Sequence, residues 1–247
     1  MKTLGIISSI IPYSESSLIC KLLSPELGQI SLIAKGIRKK EEPLLRLWEY
    51  ELNLLEPKEE GLYLLKEAKE LKDYSSYPEV ATWAAADAGA ELLAQIIIPQ
   101  PEAAQYYKLL TDYLSYLKKV DKNAVLILWR LFLRVFQLLG IGIELDLCSI
   151  CKQQSIIHAH TGTGELVCGA CKSPSNKAFS PLALEIIRLL PQIANHLHRL
   201  ELNRWVVGEI NSFLLDYFYA HHKQTLKLKS LSVLSQFYRI PKRVQSY

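Results

Sequence analysis

The stretch Trp48-Glu49-Tyr50-Glu51-Leu52-Asn53-Leu54 alternates apolar with polar residues at every step. A period of two belongs to a β-strand with one face buried and the other in water. A lone strand leaves its backbone edges unpaired, so the neighbouring sequence has to supply partners. Ile30, Leu32 and Ala34 repeat the alternation, and 4–11, 17–23 and 62–68 are further strand candidates. Between 17–23 and the run from Ile30 to Ala34, Ser24-Pro25-Glu26-Leu27-Gly28 supplies a hairpin connection. About five short strands separated by turns suit a small barrel of the OB type, which removes its edges by closing.

Past Tyr77-Pro78 the apolar spacing turns helical. The pattern predicts helices over 78–98, 102–120, 123–139, 180–198, 202–222 and 226–237. Pro99 and Pro101 close the first, Asp121 or Asn123 caps the third and Gly140 ends it, while Ser180-Pro181 is an N-cap followed by a first-turn proline. The expected fold class is α+β. An N-terminal five-stranded OB-type β-barrel over 1–76 is followed by an all-α domain over 77–247, which carries a four-cysteine zinc-binding insertion over 143–175.

The 247 residues are 49% hydrophobic, enough to bury a core and too apolar for extended disorder. A formal charge of +4 permits a polyanionic partner without demanding one. Its distribution says more. Acidic residues outnumber basic ones between Glu41 and Glu79, whereas after Asp216 there is no acid, only Lys223, Lys227, Lys229, Arg239, Lys242 and Arg243. The apolar run 4–11 is interrupted by Ser8 and Ser9 and stopped by Pro12, so it does not read as a signal peptide. Arg130 and Arg134 break the most apolar helix, and Asp87 and Glu91 break the alanine-rich one, so neither reads as membrane-spanning. The expectation is a soluble, cytoplasmic, nucleoid-associated protein.

Four of the five cysteines form two pairs, Cys148-Ser149-Ile150-Cys151 and, after sixteen intervening residues, Cys168-Gly169-Ala170-Cys171. A C-x2-C pair on a tight turn aims two thiolates at one ion, and two such turns complete a tetrahedron with Zn–S bonds of about 2.3 Å. Zinc is the reading; an iron centre or redox-active pairs are the alternatives. Disulfides are disfavoured in a chain without a secretion signal. Four thiolates leave no open coordination position, so the expected Zn2+ is structural. His158 and His160 lie between the pairs as replacement ligands, and Cys20 reads as a small core residue.

Lys35-Gly36-Ile37-Arg38-Lys39-Lys40 places four cations within six residues at the end of a predicted strand. Four neutralised phosphates of single-stranded DNA give a log–log salt slope of about −3; a solvated loop balanced by Glu41 and Glu42 is the bland reading. OB barrels add aromatic stacking to such charge. Tyr13, Trp48, Tyr50 and Tyr63 are available, but the alternation sends Trp48 and Tyr50 into the core. Arg130 and Arg134 share one face of an apolar helix. A groove there suits a peptide ending in apolar side chains and a carboxylate; the plain alternative is that both arginines emerge to solvent from a buried helix.

The order of these pieces resembles the RecO family of bacterial recombination-mediator and DNA-repair proteins along essentially the whole chain. The similar stretches are Ala34-Lys35-Gly36-Ile37-Arg38-Lys39, Arg130 through Leu138-Leu139-Gly140 leading to Cys148-x-x-Cys151, Gly164-Glu165-Leu166-Val167-Cys168-x-x-Cys171, and Leu228-Lys229-Ser230. The resemblance implies an OB domain and a zinc-bearing helical domain. It further implies binding to single- and double-stranded DNA, annealing of complementary strands, and partnership with RecR and with the acidic C-terminal tail of the single-stranded DNA-binding protein SSB. By resemblance Lys35, Arg38, Lys39 and Lys229 fall in DNA-binding segments; Lys40, from the same basic run, and Lys227, from the acid-free tail, are expected to join them. Arg130 takes the position of an arginine that recognises the SSB tail, with Arg134 beside it. Where the family often has an acid two positions after that arginine, this chain has Phe132.

The expected function is therefore a non-enzymatic mediator of DNA repair and homologous recombination that helps load recombinase onto SSB-coated DNA. No P-loop, G-x-S-x-G, H-E-x-x-H or dinucleotide fingerprint is present to argue for catalysis. The alternatives are an adaptor that binds protein but not DNA, and a metal-dependent nuclease.

Overall fold

A computed structural model describes residues 1–39, 44–58, 61–154 and 157–240. The chain divides into two compact units, Met1–Lys119 and Val120–Tyr247.

In the first unit the five strands are β1 (Lys2–Pro12), β2 (Leu18–Ser24), β3 (Gly28–Ala34), β4 (Trp48–Leu55) and β5 (Tyr63–Asp73). They close into a barrel in the order β1-β2-β3-β5-β4. All neighbours are antiparallel except β3 and β5, where Leu32 pairs with Tyr63 in parallel. The alternation does what the sequence requires of it: Tyr50, Leu52 and Leu54 point inward with Ile7, Leu22 and Leu32, and Trp48 packs half-buried beside them. Cys20 lies in the same core, where burial pushes its thiol up to about 11. Irregular register between Ile7 and Ser9 and at two points of the β4–β5 pair adds the local twist that closure needs.

Helices α1 (Val80–Gln95) and α2 (Ala103–Leu117) follow. α1 ends at Gln95, earlier than the spacing predicts, because Ile96 is already extended ahead of Pro99. Its run of buried alanines lets backbones approach closely, and the Tyr113 hydroxyl donates to the Ala85 carbonyl at 2.6 Å. Two polar ties join the helices to the barrel: the Arg46 guanidinium meets the buried Asp87 carboxylate, and the Tyr107 hydroxyl donates to Glu49 Oε1 at 2.5 Å.

The second unit is built around α3 (Ala124–Leu138), which is buried on nearly every side. Asn123 is not the side-chain cap that the sequence suggests. It takes a left-handed conformation, and its amide instead donates to the carbonyls of Leu197 and Leu200, both at 2.8 Å. Gly140 ends α3 as expected. Its φ of 73° turns the chain so that Ile141 N–H reaches the Phe136 carbonyl at 2.9 Å and Gly140 N–H the Gln137 carbonyl at 3.1 Å. A small sheet joins β6 (Ile157–His160) and β7 (Leu166–Cys168) of the cysteine insertion to β8 (Lys177–Ala178) just after it, in the order β7-β6-β8. Then come α4 (Pro181–Leu189), α5 (Arg204–His222) and α6 (Lys229–Gln236). Ser180 caps α4 as expected, its hydroxyl accepting from Ala183 N–H. The α-helix stops at Leu189 and not near 198, because Pro191 cannot continue it and the chain tightens into a 3-10 segment over Leu190–Asn195.

Candidate metal centre, basic loop and arginine-lined cavity

Two turns and one hairpin assemble the cysteines. After α3 the chain makes a knuckle in which Lys152 N–H returns to the Cys148 carbonyl at 2.9 Å and Lys152 adopts a positive φ. A second knuckle follows β7, with Cys171 N–H bonded to the Cys168 carbonyl at 3.2 Å. Ser149 N–H reaches the Leu166 carbonyl at 2.8 Å and fastens one knuckle to the other's strand. The result is four free thiols, Cys148, Cys151, Cys168 and Cys171, whose sulfur atoms all lie within 4.8 Å of one another. A tetrahedron with 2.3 Å metal–sulfur bonds has sulfur–sulfur edges of about 3.8 Å, so the arrangement fits a single ion.

The electrostatics of the cluster point the same way. Burial pushes the Cys148 thiol up, but backbone N–H groups of Cys168, Cys151 and Ile150 stabilise its thiolate more, and it falls to about 6. Cys171 moves oppositely, to about 12, because hydrogen bonds to the sulfurs of Cys168, Cys151 and Cys148 keep its proton in place. Four crowded sulfurs cannot all carry charge without a cation to share. His160 is not among them: its Nδ1 lies 2.8 Å from the Thr161 carbonyl and its ring packs between Phe179 and Phe213. His158 is exposed and likewise outside the four-sulfur group.

The insertion is fitted against α5. Gly164, at φ +80°, sits so near that helix that a Cβ there would come within 2.7 Å of Tyr217 Cα. The Tyr217 hydroxyl donates to the Gly142 carbonyl at 3.3 Å, and Lys177 pairs with Asp216 at 2.8 Å.

In the barrel unit, Lys35, Arg38 and Lys39 are all exposed on the turn that leaves β3. Ile37 is buried and anchors this turn, a 3-10 segment over Ile37–Lys39. Arg38 fixes it to the β1–β2 connection: its Nη1 donates to the Ser14 carbonyl at 2.8 Å and its backbone N–H to the Ser16 carbonyl at 3.2 Å. Tyr13, 64% exposed, opens that same connection. Lys40 lies outside the described residues. In the second unit, Lys227 and Lys229 are exposed at the entry to α6.

Arg130 and Arg134 line one cavity of about 440 Å³ on α3, together with Leu133 and Gln137. Its other walls are Ile143 to Asp146 and, from the α4 side, Arg188 and Pro191. Sequence reading missed Arg188. Its signal was like that of Arg130, a cation in a largely apolar helix. The cavity lining thus includes three arginines, the apolar side chains of Leu133, Ile143, Leu145 and Pro191, and the carboxylates of Glu144 and Asp146. Among the described residues, no helix is long and apolar enough to cross a membrane.

Comparison with known proteins yields a consistent match. A family model described as Recombination protein O N terminal matches residues 1–74, and one described as Recombination protein O C terminal matches residues 78–232. The DNA repair protein RecO of Thermodesulfovibrio yellowstonii is 25% identical over 233 residues, covering 88% of this chain and 91% of that protein.

Proposed function

Because the chain belongs to the recombination protein O family, whose role lies in DNA repair and recombination, we propose that it is a mediator that binds and anneals single-stranded DNA and helps load recombinase onto SSB-coated strands. The observation that carries this reading is the exposed trio Lys35, Arg38 and Lys39, held on a turn of a closed five-stranded barrel beside the exposed Tyr13. Cations on a pinned turn follow a phosphate backbone, and an aromatic beside them offers a base a stacking surface. In this reading 1–76 is the nucleic-acid-binding domain, 77–247 the helical domain, and Lys40, Lys227 and Lys229 extend the contact with single- or double-stranded DNA.

The acidic C-terminal tail of SSB fits the cavity on α3. Its terminal carboxylate meets Arg130 and Arg134, and its last apolar side chains rest on Leu133. RecR joins as the partner in recombinase loading. The four thiolates hold Zn2+, which orders the two knuckles against α5 and leaves no position for substrate. No covalent step is required. The protein works in the cytoplasm, at the nucleoid.

Strand annealing tests the proposal: complementary oligonucleotides, bare and SSB-coated, are mixed with the protein and with a variant carrying Lys35→Ala, Arg38→Ala and Lys39→Ala. The protein accelerates duplex formation and the variant loses most of that acceleration. Equal acceleration by both removes the barrel from the mechanism.

A further inference from the structure

Near the end of the described chain the structure leaves exposed a group of aromatic and basic side chains that neither the metal centre nor the arginine-lined cavity uses. Trp205, in the first turn of α5, is 64% exposed, although tryptophan is among the side chains most buried on average. Arg204 precedes it and is exposed too. The Arg204 N–H donates to the Arg239 carbonyl at 3.0 Å, which brings the segment after α6 alongside the start of α5. In that segment Tyr238 is turned inward, where burial pushes its phenol up and its hydroxyl reaches the backbone of Val125. Its neighbours therefore face out: Phe237 is 47% and Ile240 62% exposed, and Arg239 is exposed between them.

The charge of this surface says what covers it. From Tyr217 onward the sequence has no acidic residue. The acid beside Arg239, Glu201, is already engaged by Lys122 at 2.5 Å, whose ammonium keeps that carboxyl below its usual range. Glu209, one helical turn beyond Trp205, accepts from the Ser180 N–H and hydroxyl, both at 2.7 Å. The surface is thus cationic with its nearby carboxylates occupied, and aromatic. That combination suits a single strand of nucleic acid, whose phosphates need guanidinium groups and whose bases need flat partners.

We propose that Arg204, Trp205, Phe237 and Arg239 form a second single-strand site on the helical unit, in which a base stacks on Trp205 and two phosphates meet the two arginines. This rests on the reading of the protein as a single-strand binder, but on different residues. Two strand-binding surfaces on one chain would let it hold two complementary strands at once, which is what annealing needs.

The test uses unlabelled oligothymidylate and the protein's own fluorescence. Of four tryptophans, Trp129 is buried, Trp48 is half-buried with its indole N–H on Ser75, Trp83 is 40% exposed, and Trp205 is the most exposed. Oligothymidylate quenches the emission of the full chain. Trp205→Phe removes most of that quenching, whereas Trp83→Phe leaves it in place. With Lys35, Arg38 and Lys39 all changed to alanine, residual binding persists and Trp205→Ala weakens it about tenfold. Changing Arg204 and Arg239 to alanine lowers the salt slope by about 1.4, the share of two phosphates. Quenching that survives Trp205→Phe, with affinity and slope unmoved by the arginine changes, overturns the second site and leaves the barrel reading intact. A chain that binds no oligonucleotide at low salt overturns both.

Discussion

The Arg38 guanidinium donates to the Ser14 carbonyl at 2.8 Å, and so the most cationic turn of the barrel is tied to the connection that carries Tyr13. In the proposed DNA contact Arg38 would have two tasks, a charge for phosphate and a strut for the turn, whereas Lys35 and Lys39 would supply charge. Lys39→Ala is therefore expected to weaken oligonucleotide binding and lower the salt slope by about 0.7, the share of one phosphate. Arg38→Ala is expected to cost more affinity than that. Arg38→Lys keeps the charge but not the planar donor and falls between them. Anisotropy titrations of the three variants order them.

The four-thiol cluster predicts about one zinc per chain by elemental analysis. Cys148→Ser or Cys171→Ser loses the metal and lowers the melting temperature, because the knuckles have little apolar core apart from the sulfurs, Ala159 and Val167. Acid acts in the same direction. The Cys148 thiol is depressed from about 9.0 to about 6, so the stability it contributes is full above 9 and is lost as pH falls through 6. Zinc release on acidification, followed with a chromogenic chelator, has the same sign, since protons compete with the ion for thiolate.

Gly164→Ala tests the seating of the metal insertion on α5. The new methyl would come within 2.7 Å of backbone atoms of Tyr217 and would also have to tolerate a φ of +80°. Neither obstacle is a flexible side-chain end. A loss of about 2 kcal/mol or more in denaturant unfolding is expected. Gly162→Ala, with open space around it, is the control and is close to neutral.

Arg188 predicts a contribution to peptide capture that Arg130 and Arg134 alone do not provide, since it approaches the same cavity from α4. Arg188→Ala is expected to weaken binding of an acidic peptide with an apolar C-terminal residue about tenfold, the scale of one charge-assisted hydrogen bond. Amidation of the peptide's terminus should weaken binding to the unaltered protein and have a smaller effect on the variant.

Local pattern carried most of the fold. The alternation through Trp48 to Leu54 placed Tyr50, Leu52 and Leu54 inside the barrel, and the paired C-x2-C spacing identified the four sulfurs that the structure brings together. Long-range geometry was less legible. No sequence signal says that Asn123 gives up its capping role to hold the carbonyls of Leu197 and Leu200, over seventy residues away. Nor does any say that Arg38 reaches back to Ser14, because a backbone carbonyl leaves no mark on the identity of its residue. Pro191 did carry a signal, and the end of α4 was readable from it. Arg188 joined the candidate cavity only once α4 was folded against α3.

The central claim is that the barrel binds single-stranded DNA through Lys35, Arg38 and Lys39. Its most direct test is fluorescence anisotropy of a labelled oligonucleotide across several salt concentrations, with the protein and with these three residues changed to alanine. The account predicts tight binding at low salt and a log–log slope that becomes shallower by about 2 in the variant. Identical affinities and slopes for the two proteins would contradict it.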